Sequence, residues 1–320
     1  MEAAAGNLPG ALPGSLPDGT PPPACPPPLF WRDIVQRVAE TATAWTLERP
    51  GTVLSGQTLG NGPPLLLLNG LGEPRECQFL LAWLLREQFR CVMFDWRGVR
   101  TPAPRPTLET LADDLLDIAD HWPGEANLVW GSGLGGLVAL RAARRAGPQF
   151  RKLLLAGVCP HRTLSWGERL LCGVGSCLPG QARWVPGRST VYRLNHRRWF
   201  PPLDPDRYRF LLDLSGRCRV AGLANLGRVV GEADLRAELA AISTEVVLLS
   251  TEGQGARLRE GADQLEAGLP HVSRTHLHST GLLPGLTHPH RLAAVIREQF
   301  LGPASVSSPR PAEASQSTPR

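Results

Sequence analysis

The sequence predicts an α/β fold, a mostly parallel, doubly wound sheet interrupted once by an insertion that is helical or irregular. Three observations carry this. Short, mainly apolar runs at 65–68, 91–94, 126–130, 152–158 and 245–249 read as strands, and the continuous run at 65–68 as one buried on both faces. Between them lie segments whose apolar residues recur at helical spacing, so strands and helices alternate as in right-handed βαβ units. The alternation stops after the 152–158 run and resumes only past Asp234.

In chain order, Trp31, Ile34, Val35, Val38 and Ala42 have helical spacing and predict an N-terminal helix. Two short strands follow at 45–47 and 52–59, parted by Arg49-Pro50-Gly51. Asn61-Gly62-Pro63-Pro64 then turns the chain into the 65–68 strand, which Asn69-Gly70-Leu71-Gly72 ends. A helix carrying Phe79, Leu80, Trp83, Leu84 and Leu85 leads to strand 91–94 and to Asp95-Trp96-Arg97-Gly98. The next helix carries Leu108, Leu111, Leu115, Leu116 and Ile118, and strand 126–130 follows it. A further helix runs to Ala146 and gives way to strand 152–158. Beyond the interruption come strand 245–249, a helix near 258–267, a strand near 273–278 and a last helix at 289–300.

The chain has 320 residues, 42% hydrophobic and 20% charged, with a net charge of +5. That length suits one large domain with a sizeable core. Arg supplies nearly all the positive charge, since Lys152 is the only lysine; a GC-rich coding bias explains this without nucleic acid. The seven Cys are scattered and lack the paired spacing of a zinc site, so free thiols are expected, with Cys91 a small core residue. No segment has the roughly 18 apolar residues of a membrane span. Residues 1–28 carry neither a basic residue nor an apolar stretch of signal type, and a cytoplasmic location is the expectation. Rich in Pro, Gly and Ala, 1–28 is expected to be a disordered tail; 303–320, rich in Ser and Pro, likewise. The folded unit is then 29–302.

The most informative stretch is Asn127-Leu128-Val129-Trp130-Gly131-Ser132-Gly133-Leu134-Gly135-Gly136. It resembles the nucleophile elbow of the α/β-hydrolase superfamily, a strand, sharp turn and helix with the pattern G-x-S-x-G. Other segments extend the likeness in the right order. The 65–72 stretch resembles the superfamily's strand and oxyanion loop, and 94–98 its D-x-R-G turn; 281–301 resembles the closing segment around the catalytic His. The resemblance implies an α/β-hydrolase fold with a helical cap at about 160–232 that shapes ligand selectivity. The superfamily cleaves esters, epoxides, lactones and haloalkanes. It also holds non-catalytic members, among them receptors and the N-myc downstream regulated proteins.

A Ser hydrolase needs a nucleophile, a His to activate it and a carboxylate to orient the His. The resemblance puts these at Gly133, Leu282 and Gln254, none of which can do that work. The first expectation is therefore a non-catalytic binder of a small acidic or carbonyl ligand, or of a protein partner. Gly70, Leu71, Gly133 and Leu134 would bind it, the N–H groups of Leu71 and Leu134 forming the oxyanion hole. The alternative is a hydrolase of an ester or similar bond with a displaced catalytic set, Ser132, His278 and Glu252. A third reading is a scaffold whose pocket is filled, with Leu282 and Trp130 as plugs.

Other motifs have blander readings. His276 and His278 share a strand face, but no third ligand suggests itself and no metal site is expected. Gly131-x-Gly133-x-x-Gly136 also fits a dinucleotide fingerprint. It follows two earlier β–α units, and Cys159-Pro160 closes the next strand where an acid is needed, so no cofactor is expected. Arg193, Arg197, Arg198, Arg207 and Arg209, interleaved with Tyr192, Trp199, Phe200 and Tyr208, could bind nucleic acid. With Asp204, Asp206 and Asp213 among them, a solvated or internally paired cap surface is expected, and no nucleic-acid partner.

Overall fold

A computed structural model describes residues 30–122, 126–202 and 204–302. The expectations for 1–28 and 303–320 concern residues outside that set. The elements are α1 (Trp31–Thr41), β1 (Thr43–Arg49), β2 (Thr52–Leu59), β3 (Pro64–Leu68), α2 (Phe79–Leu85), β4 (Arg90–Phe94), α3 (Leu108–Asp120), β5 (Asn127–Ser132), α4 (Leu134–Arg145) and β6 (Phe150–Ala156). Four helices follow without a strand between them, α5 (Trp166–Cys177), α6 (Arg188–His196), α7 (Pro205–Gly216) and α8 (Val220–Glu232). The chain closes with β7 (Glu245–Thr251), α9 (Ala256–Gly268), β8 (Val272–Leu277), α10 (Pro284–Thr287) and α11 (Pro289–Leu301).

One sheet of order β1-β2-β4-β3-β5-β6-β7-β8 organises these elements. Strands β3 to β8 run parallel, and β2 is antiparallel to both β1 and β4. The period-2 geometry of a strand explains the continuous apolar runs. Leu66, Leu68, Val92, Phe94, Val129, Leu153 and Leu155 enter one core with α3 and α4. Their sequence neighbours Leu65, Leu67, Cys91, Met93, Leu128, Trp130 and Leu154 enter the other with α2 and α11. Both faces are covered, so every residue of β3 must be apolar, and Leu65 to Leu68 are all fully buried.

Polar devices fix the ends. Thr107 and Thr110 cap α3 reciprocally, and Ser165 and Glu168 do the same for α5. In the turn after β4, buried Arg97 pairs with buried Asp114 of α3, its Nε donating to Oδ2 at 2.6 Å, and Arg49 Nε donates to Asp114 Oδ1 at 3.2 Å. Asp95 in the same turn accepts from the Arg75 backbone N–H at 2.9 Å. The D-x-R-G segment is thus a clamp between β4, α3 and the loop before α2. Within the insertion, α5 lies close against α8. A Cβ on Gly175 would stand 3.0 Å from Ala224 Cβ, and one on Gly227 3.0 Å from Cys172 Sγ. No helix among the described residues is long and apolar enough to cross a membrane.

Candidate functional site

The C-terminal ends of β3, β5 and β6 converge under α6, α7 and α8 and enclose a cavity of ≈ 360 Å³. Its wall includes Gly70, Leu71, Glu73, Ser132, Gly133, Leu134, Tyr192, His196 and Leu282. The filled-pocket expectation is overturned: Leu282 lines the cavity without closing it, and Trp130 lies in the core beneath the sheet.

Gly133 has φ 48° and ψ −111°, the strained apex of the turn between β5 and α4. A Cβ built there meets nothing nearer than Gly70 Cα at 3.9 Å, so the apex faces open space. The other glycines serve a different purpose. A Cβ on Gly135 would come within 2.7 Å of Leu68, and one on Gly136 within 2.2 Å of Val158, so the helix can lie against the strands only with bare backbone. The first intrahelical bond of α4 runs from Leu137 N–H to Gly133 O, at 3.1 Å. The N–H of Leu134 precedes it, at the positive end of the helix dipole and on the cavity wall.

Ser132 departs from expectation. A residue before the apex should turn its hydroxyl away from the pocket. Instead Ser132 borders the cavity, and its Oγ donates to Glu73 Oε2 at 3.1 Å. Burial pushes the Glu73 carboxyl up to about 7, while hydrogen bonds from Gly70 and Ser132 restrain the rise. At neutral pH this group is poised between its two protonation states. His196 also lines the cavity, and burial pushes its imidazole down, so it is neutral at pH 7. Sequence reasoning missed both residues. Glu73 had a signal, an acid one residue past the Asn69-Gly70-Leu71-Gly72 loop. His196, in the insertion, had none.

The other members of the displaced set stand elsewhere. His278 and Glu252 do not border the cavity; they face one another on the surface, with Nδ1 3.6 Å from Oε1. The structure therefore does not join Ser132, His278 and Glu252 in one site. It does supply the third ligand that His276 and His278 lacked. Ligand atoms of Glu252, His276 and His278 all lie within 4.8 Å of one another, a group with the donor types of a divalent-cation site. Spacing within one strand does not show that third donor, because it depends on contact between the end of β8 and the turn after β7. Gln254 is buried and donates Nε2 to Leu249 O at 3.2 Å, which makes it a turn brace. Trp199 packs on Gly253 and Gly281, where a Cβ would stand 3.0 Å and 2.5 Å from its side chain, so it sits against the loops after β7 and β8.

The cap arginines divide. Arg207 and Arg209 pair with Asp204 and Asp206, as expected of a paired surface. Arg193, Arg197 and Arg198 form no ion pair among the described residues; Arg197 and Arg198 lie over the rings of Tyr208 and Trp199. Six free cysteines are described, and burial raises the Cys91 thiol far above its usual range.

A sheet of this order, an elbow at positive φ and a cavity at the strand ends under an inserted cap define an α/β-hydrolase architecture. The model of the alpha/beta hydrolase family matches residues 65–295, and the chain belongs to that family. It is 26% identical over 225 residues to 3-oxoadipate enol-lactonase 1 of Acinetobacter baylyi, covering 67% of this chain and 80% of that protein. It is 28% identical over 265 residues to the pimeloyl-[acyl-carrier protein] methyl ester esterase of Aromatoleum aromaticum, covering 76% of this chain and 100% of the relative. Among solved structures, a hydrolase from Pseudomonas aeruginosa superposes with TM-score 0.68 at 21% identity, covering 82% of this chain and 99% of the other. The enol-lactonase from Burkholderia xenovorans superposes with TM-score 0.67 at 19% identity, covering 79% and 98%. At those identities the superpositions establish the fold.

Proposed function

We propose that this chain is a hydrolase of an ester or similar bond, working with a displaced catalytic set in which Ser132 is the nucleophile and Glu73 its base. The observation that carries the reading is the 3.1 Å hydrogen bond from Ser132 Oγ to Glu73 Oε2 at the wall of an open cavity. A base titrating near 7 is well matched to moving a proton at neutral pH. The relatives named as an enol-lactonase and a methyl ester esterase support this class of bond.

In this scheme Ser132 Oγ attacks the carbonyl carbon and its proton passes to Glu73. The carbonyl electron pair moves onto oxygen, held by the N–H groups of Leu134 and Leu71. Collapse expels the alcohol oxygen, which takes the proton from Glu73. Water then attacks the acyl-serine as Glu73 accepts its proton; collapse releases the carboxylic acid, and Ser132 Oγ leaves with the proton returned by Glu73. Gly70 and Gly133 keep the approach to the carbonyl clear. The cap residues Tyr192 and His196 shape the cavity and set which acyl group fits.

One observation favours a second reading, a binder of a carbonyl or carboxyl ligand without turnover. The apex carries no side chain at Gly133, and apolar Leu282 stands where the family's base would be. A fluorophosphonate probe separates the two. Covalent labelling that is lost in Ser132→Ala and slowed in Glu73→Gln supports the hydrolase. Stabilisation of the fold by small carboxylic acids, with no labelling, supports the binder.

A further inference from the structure

Twelve large apolar side chains are exposed among the described residues, and nine of them fall within 166–194. Trp166 and Trp184 are 75% and 76% exposed, and Leu171 and Leu194 are 73% and 72% exposed. Burying such side chains is worth far more than a fold would ordinarily forgo, and concentration in one short stretch marks an interaction surface.

The local geometry shows why they remain outside. On α5, Trp166, Leu170 and Val174 recur every fourth residue and share one face. The opposite face, through Cys172 and Gly175, is the one that lies against α8. The helix is therefore apolar on two sides, one spent on packing and one left to solvent. A second exposed cluster, Trp184, Val185, Val191 and Leu194, follows in the chain on the approach to α6 and on α6 itself.

Charge identifies the occupant. Residues 166–199 hold six arginines, at 169, 183, 188, 193, 197 and 198, against the single acid Glu168. None of the six is in an ion pair among the described residues, whereas Arg97, Arg141 and Arg236 elsewhere in the chain all are. Exposed Trp and Leu beside unpaired Arg is the composition of a segment that lies in the headgroup layer of a membrane, its apolar side chains in the acyl boundary and its cations on lipid phosphates. We infer that the α5–α6 face of the cap docks this protein onto an anionic phospholipid surface, lying on the bilayer without spanning it. The docking stands apart from the catalytic reading, since none of Trp166, Leu171, Arg183 and Arg193 borders the cavity.

The test is co-sedimentation of the full chain with vesicles of equal parts phosphatidylserine and phosphatidylcholine, and with phosphatidylcholine alone. The expected result is binding to the mixed vesicles, weaker binding to the neutral ones and a blue shift of Trp emission. The double variant W166S/L171S should lose about tenfold in affinity or more, and R183E/R193E should lose the preference for phosphatidylserine. All four side chains are exposed, so unchanged thermal melting of both variants confirms that folding is intact. Failure to sediment with either vesicle at low salt would overturn the inference, as would sedimentation unchanged in both variants. A concentration-dependent dimer in the absence of lipid, abolished by W166S/L171S, would instead assign the face to a second copy of the chain and equally overturn it.

Discussion

Asn69 and Trp96 are joined across the end of the sheet, the Trp96 indole Nε1 donating to the Asn69 carbonyl at 2.9 Å. Asn69 returns the tie through its own side chain, Nδ2 donating to Phe94 O at 2.8 Å. The loop that carries Gly70, Leu71 and Glu73 is thereby fastened to the turn after β4. Asn69→Ala removes a buried donor and leaves the Phe94 carbonyl without it, which should cost about 1–3 kcal/mol in urea unfolding. Trp96→Phe should cost less, since the indole N–H is lost but most of the packing on Phe94 stays.

Glu73 gives the fold a pH dependence of predictable sign. Its folded-state value of about 7 lies above the ordinary 4.5, so the folded protein holds this proton more tightly than the unfolded chain. The stabilisation from the proton is complete below 4.5 and is lost as pH rises through about 7. Glu73→Gln should remove the dependence, gaining up to about 3 kcal/mol over the wild type at pH 8 relative to pH 4. Denaturant titrations of both proteins at the two pH values measure it; parallel behaviour would show that Glu73 is not the titrating group.

Gly133→Ser places a hydroxyl at the elbow apex. The open space there means the cost is that of a side chain at positive φ alone, about 1–2 kcal/mol in the melting transition. Without an imidazole at Leu282 the new hydroxyl has no base of the usual kind, so fluorophosphonate labelling should still depend on Ser132. Labelling that moves to residue 133 would show that the apex, not its neighbour, is the reactive position.

Arg97→Met strands the buried carboxylate of Asp114 with only Arg49 to answer it, and should destabilise by about 3–5 kcal/mol. The double change with Asp114→Leu should recover much of that loss, because a buried pair is costly to break and cheap to replace by well-packed apolar groups. Thermal unfolding of the three variants closes the cycle.

The fold was legible because a doubly covered sheet leaves a mark no other architecture makes, apolar runs of strand length alternating with helical periodicity. The antiparallel hairpin of β1 and β2 left a weaker mark, since β1 is only partly buried and its residues need not be apolar. The site was less legible. Ser132's partner could not be read from spacing, because Glu73 reaches it from a loop 59 residues earlier in the chain. His278 and Glu252 were tempting by proximity to motif positions. A step or two along a strand end is enough to turn a side chain from the cavity to the solvent.

The leucines of β3 have one last implication. Leu65, Leu66, Leu67 and Leu68 are chemically identical, so moving the strand by one position would exchange like for like in both cores. Side-chain identity alone therefore cannot tell the right alignment of this strand from its neighbours. That information must come from the residue that ends the run. Asn69 acts as punctuation in an otherwise repetitive word: its amide finds the Phe94 carbonyl in one alignment only, and that alignment delivers Glu73 to Ser132.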